Sequence, residues 1–255
     1  MANEMAKNII ELDKVAFYFQ NNPNLLVIEN VSFSAAKNQF VSIIGPSGCG
    51  KSTLLRNIAG LVEPSAGAVK YLGKRVTNPT KEISFVFQDF ALLPWLTNLE
   101  NIKLGLADTE LNEHEKTSRA MALIEKFGLV GFENYYPNAI SGGMKQRIGI
   151  ARAVITNPKV LLMDEPFSAL DELTANVLRG DINAMLRDRK ISVDSVIMVT
   201  HNVPEAVELS DKIVVLSEKP SHVKKEIRVD MDYPRNRHSR EFMDAVDNVY
   251  SVLAE

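Results

Sequence analysis

The chain has 255 residues, 45% apolar and 24% charged, which is enough to bury a sizeable core in one compact α/β unit. A formal net charge of −3 gives no basic excess of the kind that neutralises nucleic-acid phosphates, so nucleic acid is not expected among its partners. No apolar run approaches the roughly 20 residues that cross a bilayer, residues 1–10 lack the pattern of a signal peptide, and the single cysteine, Cys49, can form no internal disulfide; a cytoplasmic protein that reaches a membrane only by docking is expected.

Residues 9–19 read as a β-rich edge segment, 21–24 as a polar turn with a proline, and 25–35 as a second strand. The run 41–44, apolar and β-branched apart from Ser42, follows, closed by Gly45 and Pro46 and succeeded by helix-compatible residues 51–59, as in a buried parallel strand feeding a helix. A small hairpin is expected over 67–76, turning at Leu72 and Gly73, and a further strand over 83–87. From 89 to 157 the pattern is mostly helical, with apolar residues at three- and four-residue spacing over 113–127 and 142–155. Strand patterns at 160–163, 196–200 and 213–216 then alternate with helical ones at 172–189 and 204–210, which argues for a mostly parallel sheet covered by helices.

Gly45, Pro46, Ser47, Gly48, Cys49, Gly50, Lys51 and Ser52 match G-x-x-x-x-G-K-[ST], with Thr53 next in line. The glycines let successive N–H groups turn toward phosphate oxygens at a helix N-terminus. Lys51 is placed to reach the β- and γ-phosphates of a nucleotide and the Ser52 hydroxyl to ligate Mg²⁺. Cys49 reads as a small residue that supplies only its backbone. The apolar run 160–163 ends in Asp164 and Glu165: a carboxylate at that strand end suits Mg²⁺ held through a water, and one residue further on Glu165 suits a base that orients the attacking water. Ile140, Ser141, Gly142, Gly143, Met144, Lys145, Gln146 and Arg147 precede that strand, with Ser141 as an N-cap and two glycines leaving bare amides at a helix start, a second anion site.

Taken together, and over nearly the whole chain, these residues resemble the ATP-binding cassette family. The resemblance implies a phosphate-loop α/β fold: a core with an antiparallel β subdomain over 1–88 and 158–230, a helical signature subdomain over 89–157, and a helical tail over 231–255, all in a single domain. It implies that Phe19 stacks on adenine, that Gln88 touches Mg²⁺ or the attacking water, that His201 contacts the γ-phosphate, and that Ser168 and Asp171 belong to the D-loop. It further implies a head-to-tail homodimer in which Ser141, Gly142 and Gly143 of one copy close on ATP held by the other. Position 144 carries Met where the family pattern has Gln.

The run from Gln88 to Asn101 and the tail from Tyr233 to Phe242 are similar to the nitrate, sulfonate and taurine importer branch. That similarity implies an integral membrane permease dimer as partner, an external solute-binding protein acting indirectly, and a peripheral position on the cytoplasmic face. Phe90, Leu92, Leu93 and Trp95 are then either a docking socket for the permease or a local core under the helical subdomain. An exporter subunit and a soluble ATPase acting on ribosomes or DNA are the alternatives. The solute itself stays open among nitrate, taurine, alkyl sulfonates and pyrimidine-type compounds, because this subunit does not touch it.

Overall fold

The computed structural model describes residues 8–19, 22–187 and 193–255. In chain order the elements are β1 (Asn8–Phe19), β2 (Asn22–Ala36), β3 (Gln39–Ile44), α1 (Lys51–Ile58), β4 (Ala66–Tyr71), β5 (Lys74–Arg75), β6 (Ile83–Val86), α2 (Asn98–Lys103), α3 (Glu113–Lys126), α4 (Gly142–Val154), β7 (Val160–Asp164), α5 (Glu172–Arg187), β8 (Ser195–Val199), α6 (Val203–Leu209), β9 (Lys212–Leu216), β10 (Val223–Arg228) and α7 (Arg240–Ala254). Two compact units divide them: Met1–Thr80 with Asp194–Glu255, and Lys81–Val193.

The first unit holds an antiparallel sheet ordered β2-β1-β4-β5 and a second set of strands ordered β10-β9-β3-β8. In the second set β3 pairs parallel with both β8 and β9, while β10 runs antiparallel on the outside. Five of the six residues of β3 are buried, as expected of a strand covered on both faces. The hairpin between β4 and β5 turns at Leu72 (φ 48°) and Gly73 (φ 80°), a two-residue loop with both central residues left-handed. Residues 22–24 run in β2 and not in a turn, because backbone pairing extends to Asn22 opposite Phe19 despite the polar composition; residue 21 lies outside the described residues, as do 1–7, where no leader was expected, and 188–189 of the expected helix. Strand β10 was not expected at all.

One core of this unit joins Ile44, Val203, Ala206, Val207, Ile213 and Val215 to Phe242, Val249 and Val252 of α7. Burying each of those three α7 side chains is worth about 1.5–3 kcal/mol, so the tail is an integral layer of the fold.

The second unit contains the parallel pair β6 and β7, in register from Ile83 opposite Val160 to Val86 opposite Met163, with α2 to α5 around it. Capping boxes start two of the helices: Thr97 with Glu100 at α2, and Asn112 with Glu115 at α3. Among the described residues no helix is long and apolar enough to cross a membrane.

Candidate functional site

In the first unit the buried strand β3 ends at Ile44 and releases the chain into the loop 45–50. Gly50 closes that loop at φ 108°, and a Cβ there would lie 2.8 Å from Val27, so both conformation and space exclude a side chain. The consequence falls on α1. Thr97, Asn112, Ser141, Asp171, Asn202 and Ser239 each accept a hydrogen bond from a first-turn amide of the helix they begin, whereas Gly50 has no side chain to do so. Helix α1 also has no acidic residue in its first turn. Its leading N–H groups and the positive end of its dipole therefore remain for an external anion. Lys51 is 6% exposed, and its Nζ donates to the Gly45 carbonyl (2.8 Å) and the Pro46 carbonyl (2.9 Å), which bends the ammonium back over the loop. Ser47 is exposed, and Ser52 and Thr53 are half-buried in the first turn of α1. Amide donors, one cation and no carboxylate between residues 45 and 53 fit a polyphosphate.

Phe19 ends β1 half-exposed, its ring edge-on to Phe17 at 5.3 Å. His201 follows β8, the parallel neighbour of β3, so the phosphate loop and His201 both leave the carboxyl ends of adjacent strands, where open α/β sheets bind their ligands. The Thr200 N–H donates to the Ile43 carbonyl at 3.2 Å and joins the two ends directly. The buried Thr200 hydroxyl donates to the Glu205 carboxylate and accepts from the Asn202 N–H at 3.0 Å, while Asn202 Oδ1 accepts from the Glu205 N–H at 3.0 Å. These bonds fix the backbone on both sides of an exposed imidazole. Sequence reasoning named His201 and missed Thr200 and Glu205, although an N-cap Asn202 with an acid three residues on is a legible helix start.

The second unit repeats the arrangement at β6 and β7. Gln88 lies just beyond β6 and Asp164 ends β7, again on neighbouring parallel strands. Asp164 is buried. Glu165 takes φ 46°, a left-handed backbone that a non-glycine residue adopts at a cost of about 1 kcal/mol or more. That twist brings its carboxylate to 3.4 Å from Gln88 Nε2, which is also 3.5 Å from Ser168 Oγ. Ser168 in turn donates to the Glu165 carbonyl at 3.0 Å. Among the described residues no cluster of three or more His, Cys, Asp or Glu could cage a metal; a Mg²⁺ ion, which keeps waters and phosphate oxygens as ligands, needs no such cage.

Ser141 caps α4 by accepting from the Met144 N–H at 3.3 Å. Gly143 has a packing reason beyond bare amides: a Cβ there would lie 2.6 Å from Thr174 Cγ2 of α5. Asp171, placed in the D-loop by resemblance, caps α5 by accepting from the Thr174 N–H (3.0 Å) and hydroxyl (2.7 Å), and these bonds hold its carboxyl below the usual range.

The segment after Gln88 is shaped by two consecutive left-handed residues, Phe90 (φ 64°) and Ala91 (φ 46°), whose carbonyls both accept from the Arg152 guanidinium at 2.7 Å. Beside it lies a groove of about 310 Å³ lined by Phe85, Phe87, Ala91, Leu104, Arg152 and Thr156, among others. Thr156, one of the residues that line this groove, has a buried hydroxyl with no hydrogen-bond partner among the described residues. Phe90, Leu92 and Leu93 are half-buried, while Trp95 is 69% exposed. Buried Asn101 holds their loop by accepting from the Leu93 N–H (2.8 Å) and donating to the carbonyls of Leu93, Leu96 and Thr97.

The family model described as ABC transporter matches residues 28–168. The chain is 39% identical over 247 residues to the uncharacterized ABC transporter ATP-binding protein MJ0412 of Methanocaldococcus jannaschii, covering 96% of this chain and 91% of that one. It is 42% identical over 234 residues to the aliphatic sulfonates import ATP-binding protein SsuB of Bacillus thuringiensis subsp. konkukian, covering 91% of each. Its fold superposes, with a TM-score of 0.76 and 31% identity over 88% of this chain and all of the other, on a dimeric post-hydrolysis state of the ATP-binding cassette MJ0796 bound to ADP and Pi. With an uncapped phosphate loop on β3 and an acidic strand end on β7, the chain belongs to the ABC transporter family as an ATP-hydrolysing subunit.

Proposed function

We propose that the chain powers an importer of a small solute, of the sulfonate, nitrate or taurine type, as a homodimer docked on a membrane permease at the cytoplasmic face. The observation that carries the reading is the match to a sulfonate import subunit along 91% of both chains. Lys51 and the first-turn amides of α1 bind the β- and γ-phosphates, Phe19 lies against the base, and His201 meets the γ-phosphate. Glu165 orients and deprotonates the attacking water, with Gln88 beside it to sense that event. Ser52, Gln88 and Asp164, the last through water, would hold Mg²⁺, which supplies charge neutralisation across the phosphates. Ser141, Gly142 and Gly143 close on the nucleotide of the second copy, so that ATP stabilises the closed pair by linkage and loss of its γ-phosphate reopens it. Phe90, Leu92, Leu93 and Trp95, with the groove beside them, receive the permease.

Glu165→Gln tests the reading: it keeps ATP binding, loses hydrolysis by about 100-fold or more, and elutes as a dimer in gel filtration with ATP and Mg²⁺. A monomeric variant with normal hydrolysis would remove Glu165 as the base.

A further inference from the structure

The segment from Tyr233 to Arg237 straps the carboxyl end of α6. Arg235 is 9% exposed and spends its guanidinium on backbone carbonyls: Nη1 donates to Val207 (2.5 Å) and Ser210 (2.7 Å), Nη2 to Val229 (3.1 Å), and Nε to Met231 (3.2 Å). The same guanidinium stacks 4.0 Å from the centroid of the Tyr233 ring, whose hydroxyl donates to the Leu209 carbonyl at 2.9 Å. Arg237 grips Glu208 of α6 through Nε at 3.0 Å and through Nη2. A helix end presents orphan carbonyls and partial negative charge, and here a buried cation and a phenol take them up one by one. An exposed lysine would satisfy the dipole alone; three fixed side chains also fix where the helix stands.

The other end of α6 builds the His201 loop. Its Glu205 holds the Thr200 hydroxyl, its cap Asn202 receives the Glu205 N–H, and Thr200 hangs from β3 through Ile43. The imidazole itself is exposed, and the backbone that carries it is held by these bonds on both sides. Seven residues, about 10 Å of helix, separate the strapped end from the loop, too short a rod to absorb a shift within it. Ser210 also bonds Ser42 of β3 by its hydroxyl, so a helix displaced at its carboxyl end would move against the strand that carries the phosphate loop.

We propose that the Tyr233–Arg237 strap, chiefly Arg235, is a positioning device for His201: it sets α6 along its axis so that the imidazole meets the γ-phosphate. This rests on the reading of His201 given above. Near-attack geometry is sensitive to displacements of an ångström or less, so the effect belongs to turnover and not to nucleotide affinity, which α1 supplies from elsewhere in the unit.

The test compares ATP hydrolysis by the intact protein with Arg235→Lys, Tyr233→Phe and His201→Ala, and follows the histidine ring signals by ¹H–¹³C NMR, the His201 signal being the one that His201→Ala removes. Arg235→Lys is expected to lower kcat about tenfold and Tyr233→Phe about threefold, both with KM for ATP within about twofold and with a shifted His201 signal. Unchanged kcat in both strap variants, or kcat and KM falling together with the His201 signal unmoved, overturns the proposal and leaves the strap as a stabiliser of the fold. Should Arg235→Lys fail to fold, Tyr233→Phe, which deletes a single hydroxyl, decides by the same criteria. Normal hydrolysis by His201→Ala would instead overturn the underlying role of His201.

Discussion

Gln146 sits one turn beyond the signature glycines, fully buried, and among the described residues neither its amide nitrogen nor its oxygen has a hydrogen-bond partner. An orphaned buried amide costs about 1–3 kcal/mol, whereas an apolar side chain of similar size carries no such penalty. Gln146→Leu is therefore expected to raise the melting temperature, by about 2–4 °C per kcal/mol recovered, in a thermal scan of the nucleotide-free protein. Cys49 gives the pH-dependent counterpart. It is 1% exposed, and burial pushes its thiol above the ordinary 9.0 more than the neighbouring Lys51 cation pulls it down. At pH 8 the folded state holds the protonated, poorly nucleophilic form, so iodoacetamide should label native protein slowly and urea-unfolded protein at a normal thiol rate. The sign for stability follows: a raised folded value favours the native state below the unfolded thiol's pKa, and that contribution is lost as pH climbs through the folded one. Rapid native labelling at pH 8 would show an activated thiolate instead.

Helices α4 and α5 approach so closely at Gly143 that its missing Cβ is replaced by the Thr174 methyl group. Gly143→Ala should destabilise the protein by about 1–3 kcal/mol, and Thr174→Ser, which removes that methyl but keeps the hydroxyl bonded to Asp171, should restore most of the loss. Additive losses in the double variant, measured by urea unfolding, would mean that the two residues do not compete for space. Elements of this kind divide according to what a linear reading can detect. The strand expected over 41–44, the loop after it and the helix expected over 51–59 were legible because a largely apolar run meets a glycine-rich loop with fixed chemistry. Strand β10 was not, because Val223–Arg228 alternates poorly and carries Lys224, Lys225, Glu226 and Arg228, the charged surface by which an outer strand avoids further pairing. Site residues divide the same way. The phosphate-loop and strand-end residues were legible because their residue types stand at a fixed spacing along the chain, whereas Arg152 and Arg235 bond to backbone carbonyls as far as 62 positions away, and any residue type supplies a carbonyl.

For the whole molecule, exposure of an aromatic ring on a pinned loop is the feature that bears on partners. Trp95 projects from a turn whose backbone Asn101 ties down, so its solvent-facing surface is held in place. A fixed, amphipathic ring of this size loses little conformational freedom when a partner covers it, which is why tryptophan concentrates binding energy. Trp95→Ala is expected to reduce permease-stimulated ATP hydrolysis about tenfold in proteoliposomes, measured against the unstimulated rate of the same variant. Equal loss of both rates would assign Trp95 to the fold of its own unit.

Strand β3 acquires its two parallel neighbours late. Gln39 bonds Ser195, 156 positions further on, and β9 comes later still. On a ribosome adding roughly 5–20 residues per second, that interval is roughly 8–30 s, during which this strand, buried at five of its six residues in the finished fold, has neither parallel partner to pair with. The whole Lys81–Val193 unit emerges in that gap. Vectorial synthesis thus makes the phosphate loop one of the first functional features to be translated and one of the last to be assembled, and a nascent chain stalled before residue 195 should engage holdase chaperones through β3.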